Sequence, residues 1–214
     1  MNYTKLLREY CKKNNGAIFD VSKLKDTEFS EVPYKTLLKI LNRLEEEGLL
    51  KPVSKGVYFI GEKPVDEELI FDEYVDNGKG MFVGYQLFND VGISDYFDCK
   101  IEIYTNNIKS KQKSIGQYFL KKVDLEFDDD TVDLVALLDI IDTGYSMKGC
   151  DFMAYKKTVD MLLKSYSDSS FEKIIKAIRY KYSTIKQLSE LLEANGIDNN
   201  CIDTFENTYK NSIR

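Results

Sequence analysis

The amino-acid sequence predicts an α+β protein, with a small N-terminal domain followed by a mixed α/β domain whose C-terminal region is mainly helical. Three observations support this fold class. Apolar residues recur at helical spacing in residues 3–13 and 30–47, and two short extended runs follow directly. Polar and apolar residues alternate in residues 100–105, as they do in a half-exposed strand. The helical spacing returns from residue 131 onward. We place a domain boundary after residue 63, which gives domains 1–63 and 64–214.

Local signals define the first elements of the chain. We expect a helix over residues 3–13, ended by Asn14-Asn15-Gly16, and a short strand at residues 17–19. Asp20 suits the N-cap of a second helix that runs to Leu24, because its short carboxylate can accept from the exposed N–H groups of the first turn.

The third helix is expected from Ser30 to Glu47, with Ser30 as its N-cap and Pro33 in its first turn. One side is apolar, and another side carries cations four residues apart, which therefore share a face. The apolar positions are Leu37, Leu38, Leu41 and Leu44, and the cations are Lys35, Lys39 and Arg43.

A hairpin is predicted next, with strands at residues 49–53 and 57–60 and a tight turn at Ser54-Lys55-Gly56. The resulting order is α-β-α-α-β-β. A basic-faced helix followed by a small hairpin is typical of a winged helix-turn-helix that binds DNA.

The residue types on this helix and hairpin suit double-stranded DNA. Asn and Arg can hydrogen-bond to adenine and guanine in the major groove, and lysines more often neutralise phosphates. The expected DNA contacts are Ser30, Tyr34, Lys35, Lys39, Asn42 and Arg43 on or beside the helix, and Lys51 and Lys55 on the wing. The alternative is an ordinary solvated helix face, since amphipathic helices with lysines are common.

The charge distribution assigns any DNA contact mainly to the first third of the chain. Residues 1–63 hold 12 Lys and Arg against 9 Asp and Glu, whereas the remaining residues hold 18 against 27, within a total net charge of −6. No apolar run approaches the ~20 residues that span a bilayer, and the N-terminal segment is polar. We therefore expect a cytoplasmic protein with no membrane partner.

Charges are also segregated within the second part of the chain. Residues 106–122 contain five lysines and no acid, and residues 123–147 contain eight acids and no base. The lysines are Lys109, Lys111, Lys113, Lys121 and Lys122. They are either an auxiliary basic patch, for protein or for DNA, or the edge of a strand and loop whose charges pair with nearby acids.

Extended structure at residues 117–127 and helices in the acidic C-terminal part complete the prediction. The helices are expected from 65 to 75, from 131 to 142, over 152–165, 171–180 and 184–194, and at 201–211. The last three could be mistaken for a second helix-turn-helix, but Asp203 and Glu206 in the final helix would face phosphates badly, so we interpret this region as helical packing or a partner surface.

The sequence offers little for catalysis or metal binding. It contains no histidine and no phosphate-binding glycine motif, so the common Ser-His and Cys-His arrangements cannot form, and we expect neither an enzyme nor a cofactor. Asp128-Asp129-Asp130 could bind a hard cation, but acids at this position also suit the start of a helix, and we favour capping. The four scattered cysteines are expected to be buried, reduced thiols.

Two sequence motifs occur in a specific order. The first joins ILNRLEEEGLL at residues 40–50 to SKGVY at residues 54–58, and the second joins FVGYQLFNDVGI at residues 82–93 to IEIYTN at residues 101–106. Together with the acidic helix at residues 132–142, they make the chain resemble the AbiEi-type antitoxins of type IV toxin–antitoxin systems and related transcriptional regulators. The resemblance covers residues 3–142.

This resemblance implies a DNA-binding antitoxin that represses its own promoter and counteracts a nucleotidyltransferase-like toxin. It would assign Lys35, Lys39, Asn42 and Arg43 to the recognition helix, and Lys51 and Lys55 to the wing. The alternative from another class is a protein-interaction module, in which the winged helix is a scaffold for a partner and neither binds DNA nor catalyses a reaction.

Overall fold

The computed structural model describes residues 2–61, 67–202, 204 and 205, and it confirms a mixed α+β protein. The N-terminal elements follow the predicted order. They are α1 (Tyr3–Lys13), β1 (Ile18–Asp20), α2 (Val21–Asp26), α3 (Tyr34–Glu46), β2 (Leu50–Ser54) and β3 (Val57–Ile60). Asp20 is the N-cap of α2, as predicted, and its carboxylate accepts from the Ser22 backbone N–H at 2.8 Å.

The first sheet is antiparallel, with β3 between β1 and β2. Side chains alternate between its two faces because successive strand residues point in opposite directions. Phe19, Leu50 and Ile60 belong to a core shared with the apolar sides of α1, α2 and α3. The amphipathic helices are therefore stabilised by packing on one face of this sheet.

Among the described residues, the second part includes four strands and six α-helices of six or more residues. They are α4 (Glu67–Tyr74), β4 (Gly80–Val83), α5 (Tyr85–Asp90), β5 (Ile101–Thr105), β6 (Gln112–Ile115), β7 (Tyr118–Lys122), α6 (Asp129–Thr143), α7 (Phe152–Leu162), α8 (Asp168–Ala177) and α9 (Tyr182–Ala194). The strand at 100–105 and the helices near 152, 171 and 184 are confirmed with shifted ends. The predicted domain boundary, the start of the 65–75 helix, and Asp203 and Glu206–Asn211 of the last predicted helix lie outside the described residues.

The second sheet has the order β4-β5-β7-β6, with a parallel β5–β7 pair between antiparallel neighbours. Helix α6 contributes a nearly continuous set of buried apolar residues to the core on one side of this sheet, and α7, α8 and α9 pack around it. α6 has 15 residues. None of the described helices is both long enough and apolar enough to cross a membrane.

The two sheets also pack against each other. Ile18, Val57 and Phe59 on the outer face of the first sheet share an apolar cluster with Ile103 and Leu120 of the second. The first sheet is therefore covered on both faces, by helices on one side and by the second sheet on the other. This contact fixes the position of the basic helix and the hairpin relative to the rest of the chain.

The cysteine prediction was partly wrong. Cys11 is buried and burial raises the pKa of its thiol to about 11, but Cys99 is exposed and Cys150 and Cys201 are half-buried. All four are free thiols. Cys99 lies in the irregular segment before β5, where neither a helix nor a strand turns its side chain into a core.

Candidate nucleic-acid interface

Helix α3 separates its apolar and polar sides cleanly. Leu37, Ile40, Leu41 and Leu44 are buried. Every residue expected to contact DNA from this helix is exposed, namely Tyr34, Lys35, Lys39, Asn42 and Arg43. The helix therefore presents a continuous polar surface with three cations at four-residue intervals.

The predicted N-cap of this helix was wrong. Helix α3 begins at Tyr34, Pro33 occupies the N-cap position, and no side chain caps the first turn. Ser30 is exposed in the preceding turn, where its carbonyl oxygen accepts from the Lys25 ammonium group. The physical reason is that a residue before proline is disfavoured in the helical conformation, so the helix cannot extend back through Val32.

Lys39 and Arg43 face a shallow cleft between α3 and the start of α1. Asn2 and Thr4 of α1's N-terminal end line the same cleft, and Arg43 also lies beside Arg8. Arg8 forms a two-pronged ion pair with Glu47, whereas Lys35, Lys39 and Arg43 have no ion-pair partner among the described residues. These three positive charges are therefore available for an anionic ligand.

Charge changes sign along α3. The cations occupy its first ten residues, and Glu45-Glu46-Glu47 lie at its C-terminal end. Acids at a helix C-terminus are electrostatically unfavourable there, because the carbonyl groups at that end carry partial negative charge. The part of α3 that precedes Glu45 thus suits a polyanion.

The hairpin turn lies next to the N-terminal ends of α2 and α3. Gly56 has a φ of +74°, which glycine adopts without strain, and its carbonyl oxygen accepts from the Val21 backbone N–H at 2.9 Å. Lys55 in the turn and Lys51 in β2 are both exposed. The turn is held against α2, so the position of Lys55 relative to α3 is fixed by the backbone.

The five lysines of residues 106–122 do not form one patch. Lys113 and Leu120 are paired across β6 and β7, so Lys113 faces the first sheet, whereas Lys121 faces the opposite side and lies over the Tyr104 ring. Lys122 pairs with Asp124 at 3.0 Å. Lys111 alone of the five is exposed with no ion-pair or ring partner among the described residues.

Two of these lysines join the second part of the chain to the first. Lys109 pairs with Asp26 in α2, and Lys113 pairs with Asp20 at the start of α2. Burial opposes ionisation of the Asp20 carboxyl, but hydrogen bonds from Lys113 and Ser22 outweigh it and lower its pKa. The segregated basic stretch is therefore partly explained by charge pairing with acids more than eighty residues away in sequence.

Helix capping explains the run of three aspartates. The Asp128 carboxylate accepts from the Thr131 backbone N–H at 2.9 Å, and this hydrogen bond lowers the pKa of Asp128. Asp129 and Asp130 occupy the first turn of α6, next to its partly positive end. Across residues 2–61, 67–202 and 204–205, no group of three or more potential ligand side chains could hold a metal ion.

A feature that the sequence interpretation missed is a set of exposed apolar side chains on and just before α7, namely Tyr145, Phe152, Met153 and Met161. The Tyr145 and Phe152 rings are in contact, with centroids 5.4 Å apart. A signal was present for Met153, which lies outside the helical stripe formed by Phe152, Tyr155, Val159 and Leu162.

No protein-family model matches this chain, and no curated protein sequence matches it. The resemblance to AbiEi-type antitoxins therefore stays a prediction from the two motifs in the sequence.

Proposed function

We propose that this protein is a DNA-binding transcriptional regulator whose N-terminal part is a winged helix-turn-helix. The observation that carries the proposal is the exposed basic surface of α3, with Lys35, Lys39 and Arg43 lacking ion-pair partners among the described residues, next to a hairpin turn that presents Lys55. An α-helix of this kind fits the major groove, and a neighbouring hairpin reaches the adjacent backbone or minor groove.

The chemistry of the surface divides into two roles. Asn42 and Arg43 carry side chains that can form paired hydrogen bonds with adenine and guanine edges. Lys35, Lys39 and Lys55 are point charges on flexible stems, which suit phosphate oxygens and carry little sequence information. The acids at the C-terminal end of α3 would repel phosphates, so the exposed face that precedes Glu45 and carries these side chains is the part of the helix that faces the groove.

The antitoxin part of the proposal is supported by the motifs at residues 40–58 and 82–106 alone. Under it, the protein represses its own promoter, counteracts a nucleotidyltransferase-like toxin and is not an enzyme. Co-expression with the product of an adjacent reading frame that encodes such a toxin tests this part. Rescue of growth is the expected result, and continued toxicity with soluble protein present would contradict it.

The DNA-binding part is tested by reversing the charge of Lys39 and Arg43 together. Duplexes selected from a random library by the wild-type protein provide the probe, and fluorescence anisotropy at moderate salt measures binding. The Lys39→Glu, Arg43→Glu variant should lose detectable binding, because two favourable phosphate or base contacts become repulsive. Its thermal midpoint should stay near that of the wild type, since both side chains are exposed.

The matched control is Lys157→Glu with Lys164→Glu, which makes the same change in net charge at two exposed lysines far along the chain. This control should keep binding close to the wild-type level. Equal binding by the wild type and the α3 variant would refute the assignment of α3 as the DNA-contacting helix.

A second candidate function, a protein-interaction module, is favoured by the exposed apolar side chains of Tyr145, Phe152, Met153 and Met161, of which the first two are in contact. Aromatic and methionine side chains are enriched at the centres of protein interfaces. If this is the sole function, the wild-type chain will select no duplex from the library even at low salt, and Lys39→Glu with Arg43→Glu will leave partner binding unchanged.

A further inference from the structure

A cleft of about 400 Å³ lies where the hairpin turn, the start of α3 and the edge strand of the second sheet meet. Its walls come from both parts of the chain. Tyr34, Ser54 and Lys55 line one side, and Ser110, Gln112 and Ser114 line the other. Two residues that we assign to the DNA interface, Tyr34 and Lys55, therefore lie across the cleft from β6, the edge strand of the second sheet.

The electrostatics of this cleft are positive. Asp20 lines the cleft and is neutralised by its pair with Lys113, and Asp26 at the end of α2 is neutralised by Lys109. Lys55 is exposed and has no ion-pair partner among the described residues. Lys111 lies between the cleft-lining residues Ser110 and Gln112 in the sequence. It is also exposed and has no ion-pair partner among the described residues.

The loop that carries Lys111 is held in place before any ligand arrives. Lys109 anchors one end on α2, where it also donates to the Ser22 carbonyl oxygen at 2.8 Å. Lys113 anchors the other end on Asp20, and that ion pair is buried. Lys111 lies between the two anchors with its side chain exposed, so ordering it on a ligand costs little backbone entropy.

The lining residues indicate the kind of ligand. Serine hydroxyls, a glutamine amide and lysine ammonium groups are the donors that proteins direct at phosphate and sugar oxygens. Ser54 adds a buried hydroxyl with no hydrogen-bond partner among the described residues, which is the state expected of a group that a ligand or water satisfies.

We propose that residues 109–114, the loop before β6 and the start of that strand, extend the DNA interface, with Lys111 on a backbone phosphate of duplex DNA beside the position of the hairpin turn. This inference rests on the proposed DNA-binding function and assigns to the second sheet a contact that is independent of base sequence. Of the five lysines in residues 106–122, Lys111 is the one that we assign to a DNA phosphate. Lys121 makes no such contact under this assignment, because it faces the opposite side of the sheet.

The test compares Lys111→Gln with Lys121→Gln in the full-length protein. The probe is a duplex selected by the wild-type protein, and anisotropy gives the binding constant at several KCl concentrations. Each phosphate contact contributes about 0.9 to the slope of log K against log [salt], so Lys111→Gln should lower the slope by about 0.9. The difference in log K between Lys111→Gln and the wild type extrapolates to zero near 1 M salt. At about 0.1 M salt, the binding constant of the variant should therefore be about eightfold lower.

Lys121→Gln should match the wild type in slope and affinity. Equal slopes in all three proteins would overturn the inference, and so would equal losses in both variants, which would indicate a general charge effect. Failure of the proposed function itself has a different signature, because then the wild-type protein binds no duplex at any salt concentration. Thermal midpoints close to the wild-type value establish that both variants are folded, as expected for exposed side chains.

Discussion

The buried ion pair between Asp20 and Lys113 is the contact most open to a quantitative test. The Lys113 side chain is 12% exposed and that of Asp20 is 5% exposed, and the pair lies at the margin of the apolar cluster between the sheets. Replacing Lys113 with methionine keeps most of the side-chain volume and removes the charge. Asp20 then remains as a buried carboxylate without its cation.

The expected cost follows from this burial. Removing one partner of a buried pair typically destabilises a protein by about 3–5 kcal/mol, whereas a solvent-exposed pair is worth about 0–1 kcal/mol. Lys109→Met provides the matched control, because its pair with Asp26 lies at the same junction with side chains 40% and 67% exposed. Urea denaturation followed by circular dichroism should give a large loss for Lys113→Met and a small one for Lys109→Met.

A second substitution tests the explanation itself. Asp20→Asn in the Lys113→Met background should restore much of the lost stability, because asparagine is as good an N-cap as aspartate and carries no charge. Because the pKa of Asp20 is lowered in the folded state, the ion pair stabilises the fold fully above about pH 4, the ordinary carboxyl range. This stability is lost as pH falls through the lowered pKa of Asp20. A loss below about 1 kcal/mol for Lys113→Met, or no recovery with Asp20→Asn, would refute the reasoning.

Two further predictions concern the second part of the chain. Gly80→Ala should lower the free energy of unfolding by about 3 kcal/mol or more, since a methyl group there would overlap the backbone carbonyl oxygens of Tyr74 and Tyr104; a urea midpoint equal to that of the wild type would contradict this. Burial raises the pKa of Asp139 to about 6, against a hydrogen bond donated by the Gly84 N–H at 2.7 Å. The folded state therefore binds this proton more tightly than the unfolded chain, and stability falls as pH rises through about 4 to 6. The free energy of unfolding of Asp139→Asn should therefore rise relative to that of the wild type by at most about 3 kcal/mol over that pH range. A difference in thermal midpoint that does not change with pH would exclude this effect.

Local sequence signals predicted the N-terminal elements well. Asp20 as a cap, the end of α1 near Asn14 and the tight turn at Gly56 each depend on residues within one turn of the chain, so their structure follows from neighbours in sequence. Helix α3 begins at Tyr34 and not at Ser30, although serine is a good N-cap in general. Pro33 disfavours the helical conformation at Val32, and this restriction decides where the helix starts.

Contacts between distant residues could not be predicted in the same way. Strand β6 has the sequence QKSI, which contains one apolar residue, and it is a strand because it pairs with β7 across the turn at Gly116. The pairing of Lys113 with Asp20 links residues 93 positions apart. The sequence could therefore show that residues 106–122 are basic, but only the packing of the two sheets separates Lys111 from the lysines that hold the fold together.

The most direct test of the DNA-binding proposal is the change in lysine acetylation rates when a selected duplex binds the full-length protein, measured residue by residue with mass spectrometry. The proposal predicts strong protection of Lys35, Lys39 and Lys55, while Lys173 and Lys186, exposed on the C-terminal helices, keep the rates of the free protein. Protection that is absent from α3 and the hairpin turn while the duplex is bound would contradict it.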